Sequence, residues 1–538
     1  MAAVGNTQSS AFSGLEWVHD LWGSEPRWTV DLDEEAIKQT VQSTLELPGV
    51  CTIEFLAQGA FNRLYIIRST EKDIVARVTL PVDPAWKTLS EVATLKWVRE
   101  NTSLPVPEVL AYKADRSSVI GFEWIFMSKM PGKPLADVWR DVCFSAKKNL
   151  VRQLALFCSD TFQKQMRGIG NLFPDSTMPA STLPHGDGTV DTTERKKFRK
   201  PLLTSLGQST SEIQETETAS ADLDSSDPVR KISTSEESRE AKDSLSSKET
   251  VVGEEKTAAR HDAAEDIPEV KGTSHAKTAT ATQDPSLVCV QRIVSAAFIW
   301  DDRIHQDVSR GPFSSSKDWL SARLALAEND YFKRLCRAQK RANNNEDSDQ
   351  QEDDPEELKN IIYIISMLRS RLDEFFPTKG LEPEPSMIYH DDMSRHNILV
   401  NEDGILTAVV DWECISALPL WIACQFPPIL QGKPLEKEPI KSKYQHDENG
   451  EVVELYWEHL ENYELTQLRH LFLEEMQRLQ PTWVEIFKSS QRQRDFDLAV
   501  TNCDDSFLIR RISNWLKDMD SGVENFQGLE ERIDNASL

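Results

Sequence analysis

The chain has 538 residues, 39% of them hydrophobic, which is enough apolar material for one large or two ordinary folded units. A formal net charge of -27 argues against a nucleic-acid partner, because phosphate backbones are gripped by clustered Lys and Arg and no long basic stripe is present. Eight scattered cysteines, without a Cys-x-x-Cys or a Cys/His cluster at ligand spacing, point to neither a disulfide framework nor a zinc site, so a reducing compartment is expected.

Residues 1–49 read as an N-terminal extension. They open without a basic, apolar leader and without an Arg-rich amphipathic stretch, and no apolar run in the chain reaches membrane-spanning length. A cytoplasmic chain with no membrane partner is the expectation. From Thr52 to Thr79 apolar and polar residues alternate around a turn at Gly59 and the polar turn RSTEKD, which predicts an antiparallel meander of two or three strands. SEVATLKWVREN, residues 90–101, predicts a helix with Ser90 as N-cap and Val92, Leu95 and Val98 on its apolar face. GFEWIFMSKM, residues 121–130, reads as a strand closed by the turn PGKP. Helices then dominate: Leu150, Leu154, Phe157/Cys158 and Phe162 recur at helical spacing, and residues 358–376 repeat the pattern.

Two breaks interrupt this order. Between Phe173 and Phe298 the only aromatic residue is Phe198, so residues 175–287 cannot bury enough apolar surface to offset ordering entropy and are predicted to be a disordered insert, open to protein partners. Residues 342–357 carry eight acids and no base. Residues 175–288 hold 22 acids against 14 bases, so the two stretches account for more than half of the net charge and the remainder is only mildly acidic. The expected class is α+β: a small antiparallel-sheet lobe over residues 50–130, a larger mainly helical lobe over 131–174 and 288–430, and a helical extension over 431–538.

The stretch IYHDDMSRHNILV, residues 388–400, packs chemistry-bearing groups onto one loop before an apolar run. Asp392 and Asn397 are five residues apart, and Asp411 follows the next apolar run in LTAVVDWE. Phosphoryl transfer from ATP needs a carboxylate to orient and deprotonate a hydroxyl, plus oxygen ligands that hold Mg²⁺ against the phosphates. Asp392 suits the first role, and Asn397 with Asp411 the second, since Mg²⁺ takes few protein oxygens and keeps positions for water and phosphate. A lone Asp after an apolar run is also a common turn residue or cap. Trp412 reads as core, and Glu413 beside it as a residue shaping the metal site.

HDDMSRHNILV and VVDWE resemble the catalytic loop and metal-binding segment of the aminoglycoside phosphotransferase and choline kinase-like family, a branch of the protein-kinase-like fold. AQGAFNRLYII is similar to its phosphate-covering loop, IVARVTL to its phosphate-pairing strand, SEVATLKWV to the helix with the partner Glu, and WIFMSKMPGKPL to the nucleotide hinge. The likeness, covering roughly residues 50–430 apart from the insert, is to fungal members including those called altered inheritance of mitochondria proteins, which leaves a mitochondrial location open. It implies a bilobal kinase fold, ATP and Mg²⁺ as cofactors and a small-molecule hydroxyl acceptor. It implies Asp392 as catalytic base with His390 bracing its loop, Asn397 and Asp411 as metal ligands, Gly59 and Asn62 in the phosphate loop, Arg77 held by Glu91 on the phosphates, and main chain from Met127 to Lys129 on adenine. The chain departs from the family's pattern in using Arg77 where Lys is usual and in a glycine-poor phosphate loop, which leaves a kinase-like scaffold as the alternative. No DFG- or APE-like segment supports protein phosphorylation.

Overall fold

The computed structural model describes residues 10–20, 23–174, 288–344, 353–378, 380–448, 450–522 and 526–535. The insert predicted over 175–287 lies outside them.

A hairpin of β1 (Leu15–Asp20) and β2 (Gly23–Trp28) opens the described chain. It leads to α1 (Glu34–Thr44), capped by Asp33, whose carboxylate accepts the Ala36 N–H. The predicted meander has three strands, β3 (Thr52–Gln58), β4 (Asn62–Arg68) and β5 (Asp73–Thr79). After α2 (Trp86–Asn101), β6 (Val109–Lys113) and β7 (Glu123–Ser128) complete a five-stranded antiparallel sheet in the order β3-β4-β5-β7-β6. Val75, Ile125 and Met127 of the sheet pack with Val92 of α2, and this shared core holds the helix against the strands.

Helix α2 departs from its expectation at the N-terminus. Val92, Leu95 and Val98 are buried as the spacing requires, but the helix begins at Trp86, so Ser90 lies inside it and is not its cap. The cap is tertiary: the Glu123 carboxylate accepts the Ala85 N–H (2.7 Å) and the Thr88 hydroxyl (2.5 Å). Lys87, Thr88, Ser90, Glu91 and Thr94 are buried too, so α2 is enclosed nearly all round.

The helical part begins with β8 (Lys133–Pro134), α3 (Leu135–Val138), α4 (Phe144–Gln163), β9 (Met166–Arg167) and β10 (Gly170–Pro174). It resumes with β11 (Val288–Val290), α5 (Ala296–Ile299), α6 (Ser316–Asn344), α7 (Pro355–Ser370) and α8 (Leu372–Phe375). Then come β12 (Pro385–Tyr389), β13 (Ile398–Val400), β14 (Leu406–Val409), β15 (Ser416–Pro419) and α9 (Leu420–Ala423). The strands form one sheet of order β11-β10-β15-β12-β9 and another of order β14-β13-β8. The acidic run over 342–357 is not a break at its described ends: α6 continues to Asn344, and α7 starts at Pro355 behind Asp354, whose carboxylate accepts the Glu356 N–H. The helix expected over 358–376 is two, divided at Arg371. The chain closes on α10 (Glu454–Leu479), α11 (Pro481–Ser489), α12 (Gln491–Thr501), α13 (Ile509–Ser521) and α14 (Leu529–Asn535). The whole is a kinase-like pairing of a sheet-rich lobe with a larger helical one.

Candidate active site

Strand β12 delivers the chain to His390, and β13 takes it away from Asn397. Between them Asn397 Nδ2 donates to the Asp392 carboxylate (2.8 Å) and to the Asp392 carbonyl (2.9 Å), which closes the loop on itself. The hairpin β13–β14 pairs Ile398 with Val409, and one step beyond it the Val410 N–H donates to the Asn397 carbonyl (2.8 Å). Asp411 therefore leaves the hairpin beside Asn397. Its φ of 63°, like the 61° of Cys414, lies in the left-handed region, so the chain turns sharply on both sides of Trp412 and Glu413. Trp412 is buried, edge-on to His390 at 4.7 Å between ring centroids. Burial pushes the His390 pKa down to about 4, against a smaller upward pull from the Val410 main chain.

Arg77, on the central strand β5, is buried and forks between carboxylates. Nη1 pairs with Glu91 of α2, while Nη2 meets Asp411 at 3.3 Å and Glu413 at 2.6 Å. Burial opposes its charge, but Glu91, Glu413 and Asp411 outweigh that and lift its pKa above the usual arginine range. Glu413 is held down to about 2: burial would raise it, yet Lys87 and Arg77 together win. Burial pushes the Glu91 pKa up, against the pull of Arg77 and Lys87. The Asp411 side chain is 40% exposed, which makes it the open member of the set.

The sequence reading did not anticipate Lys87, which is buried, pairs its ammonium with Glu413 and lies 5.7 Å over the Phe61 ring. Asn62 stands inside the same network: its Nδ2 donates to Glu413 (2.8 Å), and its Oδ1 accepts from Thr79 (2.9 Å) and Lys87 (3.2 Å). The amide expected to face a nucleotide is thus engaged within the protein. Gly59 is exposed, its N–H donating to the Asn62 carbonyl (2.9 Å), and open space surrounds the position of a Cβ there. At the expected hinge the Met127 side chain belongs to the core, the Ser128 N–H donates to the Glu108 carbonyl (2.9 Å) and the Lys129 N–H to the Asp73 carbonyl (3.4 Å). The structure therefore links Asp392, Asn397, Asp411, Arg77 and Glu91 through these contacts, while Gly59 lies between β3 and β4, Met127 on β7 and Lys129 just after it.

On the loop between β12 and β13, Arg395 Nη2 reaches Glu461 of α10 at 2.6 Å, and its guanidinium covers the Trp139 ring at 4.0 Å. This ties the loop to the C-terminal helices, a contact 66 residues apart that spacing could not reveal. Among the described residues no group of three or more His, Cys, Asp or Glu is placed to hold a metal ion. Asn397 and Asp411 offer one amide and one carboxylate oxygen, a donor set that fits an ion retaining water and phosphate. No helix among the described residues is long and apolar enough to cross a membrane.

Part of the chain is similar to a subtelomeric hrmA-associated cluster protein of Aspergillus fumigatus, 33% identical over 121 residues, or 22% of this chain and 24% of that protein. A second relative is altered inheritance of mitochondria protein 9, mitochondrial, of Candida dubliniensis, 27% identical over 176 residues, or 30% of this chain and 28% of that protein. The chain thus spans about a quarter of the length of these curated relatives. A solved aminoglycoside phosphotransferase, a thermostable APH(4)-Ia mutant described as a ternary complex with ADP and hygromycin B, aligns with a TM-score of 0.36 and 11% identity, covering 89% of this chain and 95% of that one. The model of the phosphotransferase enzyme family matches residues 52–231 and 306–421, more than half of the chain, which belongs to that family.

Proposed function

We propose that the protein is an ATP-dependent small-molecule kinase that passes the γ-phosphate to a hydroxyl group. The observation that carries this reading is the closure of Asn397 onto Asp392 on one side and onto the strand end that presents Asp411 on the other. In this reading the Asp392 carboxylate orients the acceptor hydroxyl and takes its proton, with Asn397 holding that carboxylate in place. Asp411 and Asn397 would hold Mg²⁺, which would neutralise charge on the phosphates. Arg77, kept protonated by its carboxylates, faces the phosphates as a fixed positive fork. His390, neutral and buried against Trp412, keeps the loop's entry rigid without taking part in proton transfer. Pure protein titrated with Mg-ATP should show a rise in melting temperature that Asp411→Asn abolishes. Incubation with Mg-ATP and a metabolite extract should yield a species heavier by one phosphate, and the absence of any nucleotide-induced shift in the wild type removes the proposal.

One observation favours a second reading, a kinase-like scaffold. Both Nη groups of Arg77 are already committed to Glu91, Asp411 and Glu413, so the cation expected on the phosphates has partners of its own. Nucleotide binding without turnover on any hydroxyl-bearing metabolite, and without an effect of Asp392→Asn in cells, selects this reading.

A further inference from the structure

Asn171, on β10, is fully buried, and its amide touches three separate parts of the molecule. Nδ2 lies 3.1 Å from the Ser90 hydroxyl on α2, 3.1 Å from the Val294 carbonyl and 3.0 Å from the Ile415 carbonyl. Oδ1 accepts from the Val294 N–H (2.8 Å) and the Ser416 hydroxyl (2.9 Å). Two N–H groups shared among three acceptors, with two donors on the oxygen, use the whole capacity of an amide. No shorter or charged side chain could do the same.

The partners are placed with respect to Arg77. Ser90 immediately precedes Glu91, which takes one arm of the guanidinium; Ile415 and Ser416 follow Asp411 and Glu413, which take the other. A single side chain therefore spans the two halves of the carboxylate set from behind. The chain just after β11 grips the start of α2 at a second point. Arg292 Nη2 pairs with the buried Asp83 carboxylate at 2.7 Å, and the guanidinium lies 4.9 Å over the Trp86 ring at the start of the helix. Close approach of β10 to the returning chain makes this possible: a Cβ on Gly170 would sit 1.8 Å from the Gln291 carbonyl oxygen, so only glycine admits the contact.

We infer that Asn171 is a positioning residue for nucleotide binding, fixing the α2 side of the Arg77 fork (Glu91) at a set separation from the metal-segment side (Asp411 and Glu413). The inference rests on the nucleotide-binding reading above. A fork held at both tips tolerates little displacement, and a shift of about 1 Å at one carboxylate is enough to cost a large share of site affinity.

Ser90→Ala isolates the link, because it deletes only the hydroxyl on α2, leaves the other contacts of Asn171 intact, and places a good helix former inside a helix. The dissociation constant of Mg-AMP-PNP should rise about fivefold to tenfold, with a melting temperature within a few degrees of the wild type. In a Glu91→Gln background the same substitution should have no further effect, since the carboxylate it positions is no longer charged. Asn171→Asp, if it folds, should weaken binding further by turning a donor into an acceptor that faces two carbonyls. Unchanged affinity in Ser90→Ala, a loss of melting temperature alone, or an additive effect with Glu91→Gln would each overturn the inference. Wild-type protein that fails to bind Mg-AMP-PNP overturns the nucleotide-binding reading and this inference together, whereas wild-type binding with an indifferent Ser90→Ala overturns the inference alone.

Discussion

Glu413 Oε2 lies 2.6 Å from Arg77 Nη2, and the same oxygen also takes the Lys87 ammonium and the Asn62 amide. One carboxylate oxygen thus serves two buried cations from different elements, β5 and α2. Desolvating these charges is costly, and the arrangement persists because each ion has an opposite partner within hydrogen-bond reach. The cation of the site is therefore not Arg77 alone but an Arg–Lys pair bound through a shared glutamate.

Removing one ion from such a network leaves its partner buried with less compensation. Lys87→Met should lower stability by about 3 kcal/mol. Chemical denaturation of Lys87→Met, Glu413→Gln and the double variant measures this. The double variant should be more stable than the sum of the single losses allows, and simple additivity would show that the two charges do not depend on each other.

Arg77→Lys should weaken nucleotide binding rather than preserve it. The guanidinium sends separate nitrogens to Glu91 and to the Asp411–Glu413 side, whereas an ammonium is a single point charge that cannot span them. Mg-ATP affinity should fall about tenfold or more in a direct binding titration. Affinity equal to or better than the wild type would show that the fork is not needed.

The loop that Asn397 closes onto Asp392 was legible in the sequence because its members are close together: Asp392, Asn397 and Asp411 fall within twenty residues, and a hairpin brings the last two side by side. Strands β3, β4, β5 and β7 of the N-terminal sheet were legible for the same local reason, through alternation and turn residues, whereas β6 was not read as a strand. Lys87 and Asn171 were not, because a lysine in a helix reads as a solvated residue until its partner, 326 positions away at Glu413, is known. Ser90 misled for a related reason. Serine ahead of an apolar face signals an N-cap, but Glu123 arrives from another strand to cap the helix earlier and leaves the Ser90 hydroxyl for Asn171. What spacing hides is tertiary polar contact, which has no period.

His390 predicts the pH dependence of stability. Its pKa is about 4 in the folded chain against 6.5 when free, so below pH 6.5 the unfolded chain takes up a proton that the folded chain refuses. The stability due to neutral His390 is fully present above pH 6.5 and is lost as pH falls to about 4, by about 3 kcal/mol in all. Urea denaturation at steps from pH 7 to pH 4 should show a slope that is reduced in His390→Asn. An identical slope in the two proteins would mean that the ring is charged or exposed.

Asp392→Asn separates binding from chemistry. Asn397 Nδ2 donates to the Asp392 carbonyl as well as to its carboxylate, so the loop keeps one closing bond when the carboxylate is gone. Arg77, Glu91, Asp411 and Glu413 are untouched by the change. Mg-ATP affinity should therefore stay within about threefold of the wild type, while phosphate transfer to an acceptor falls by about a hundredfold or more, the usual contribution of a positioned base. The two quantities are read from one protein preparation, by binding titration and by mass spectrometry of the phosphorylated acceptor. Equal losses in both would make Asp392 part of the nucleotide site, and a fully active variant would require the proton of the hydroxyl to leave by another route.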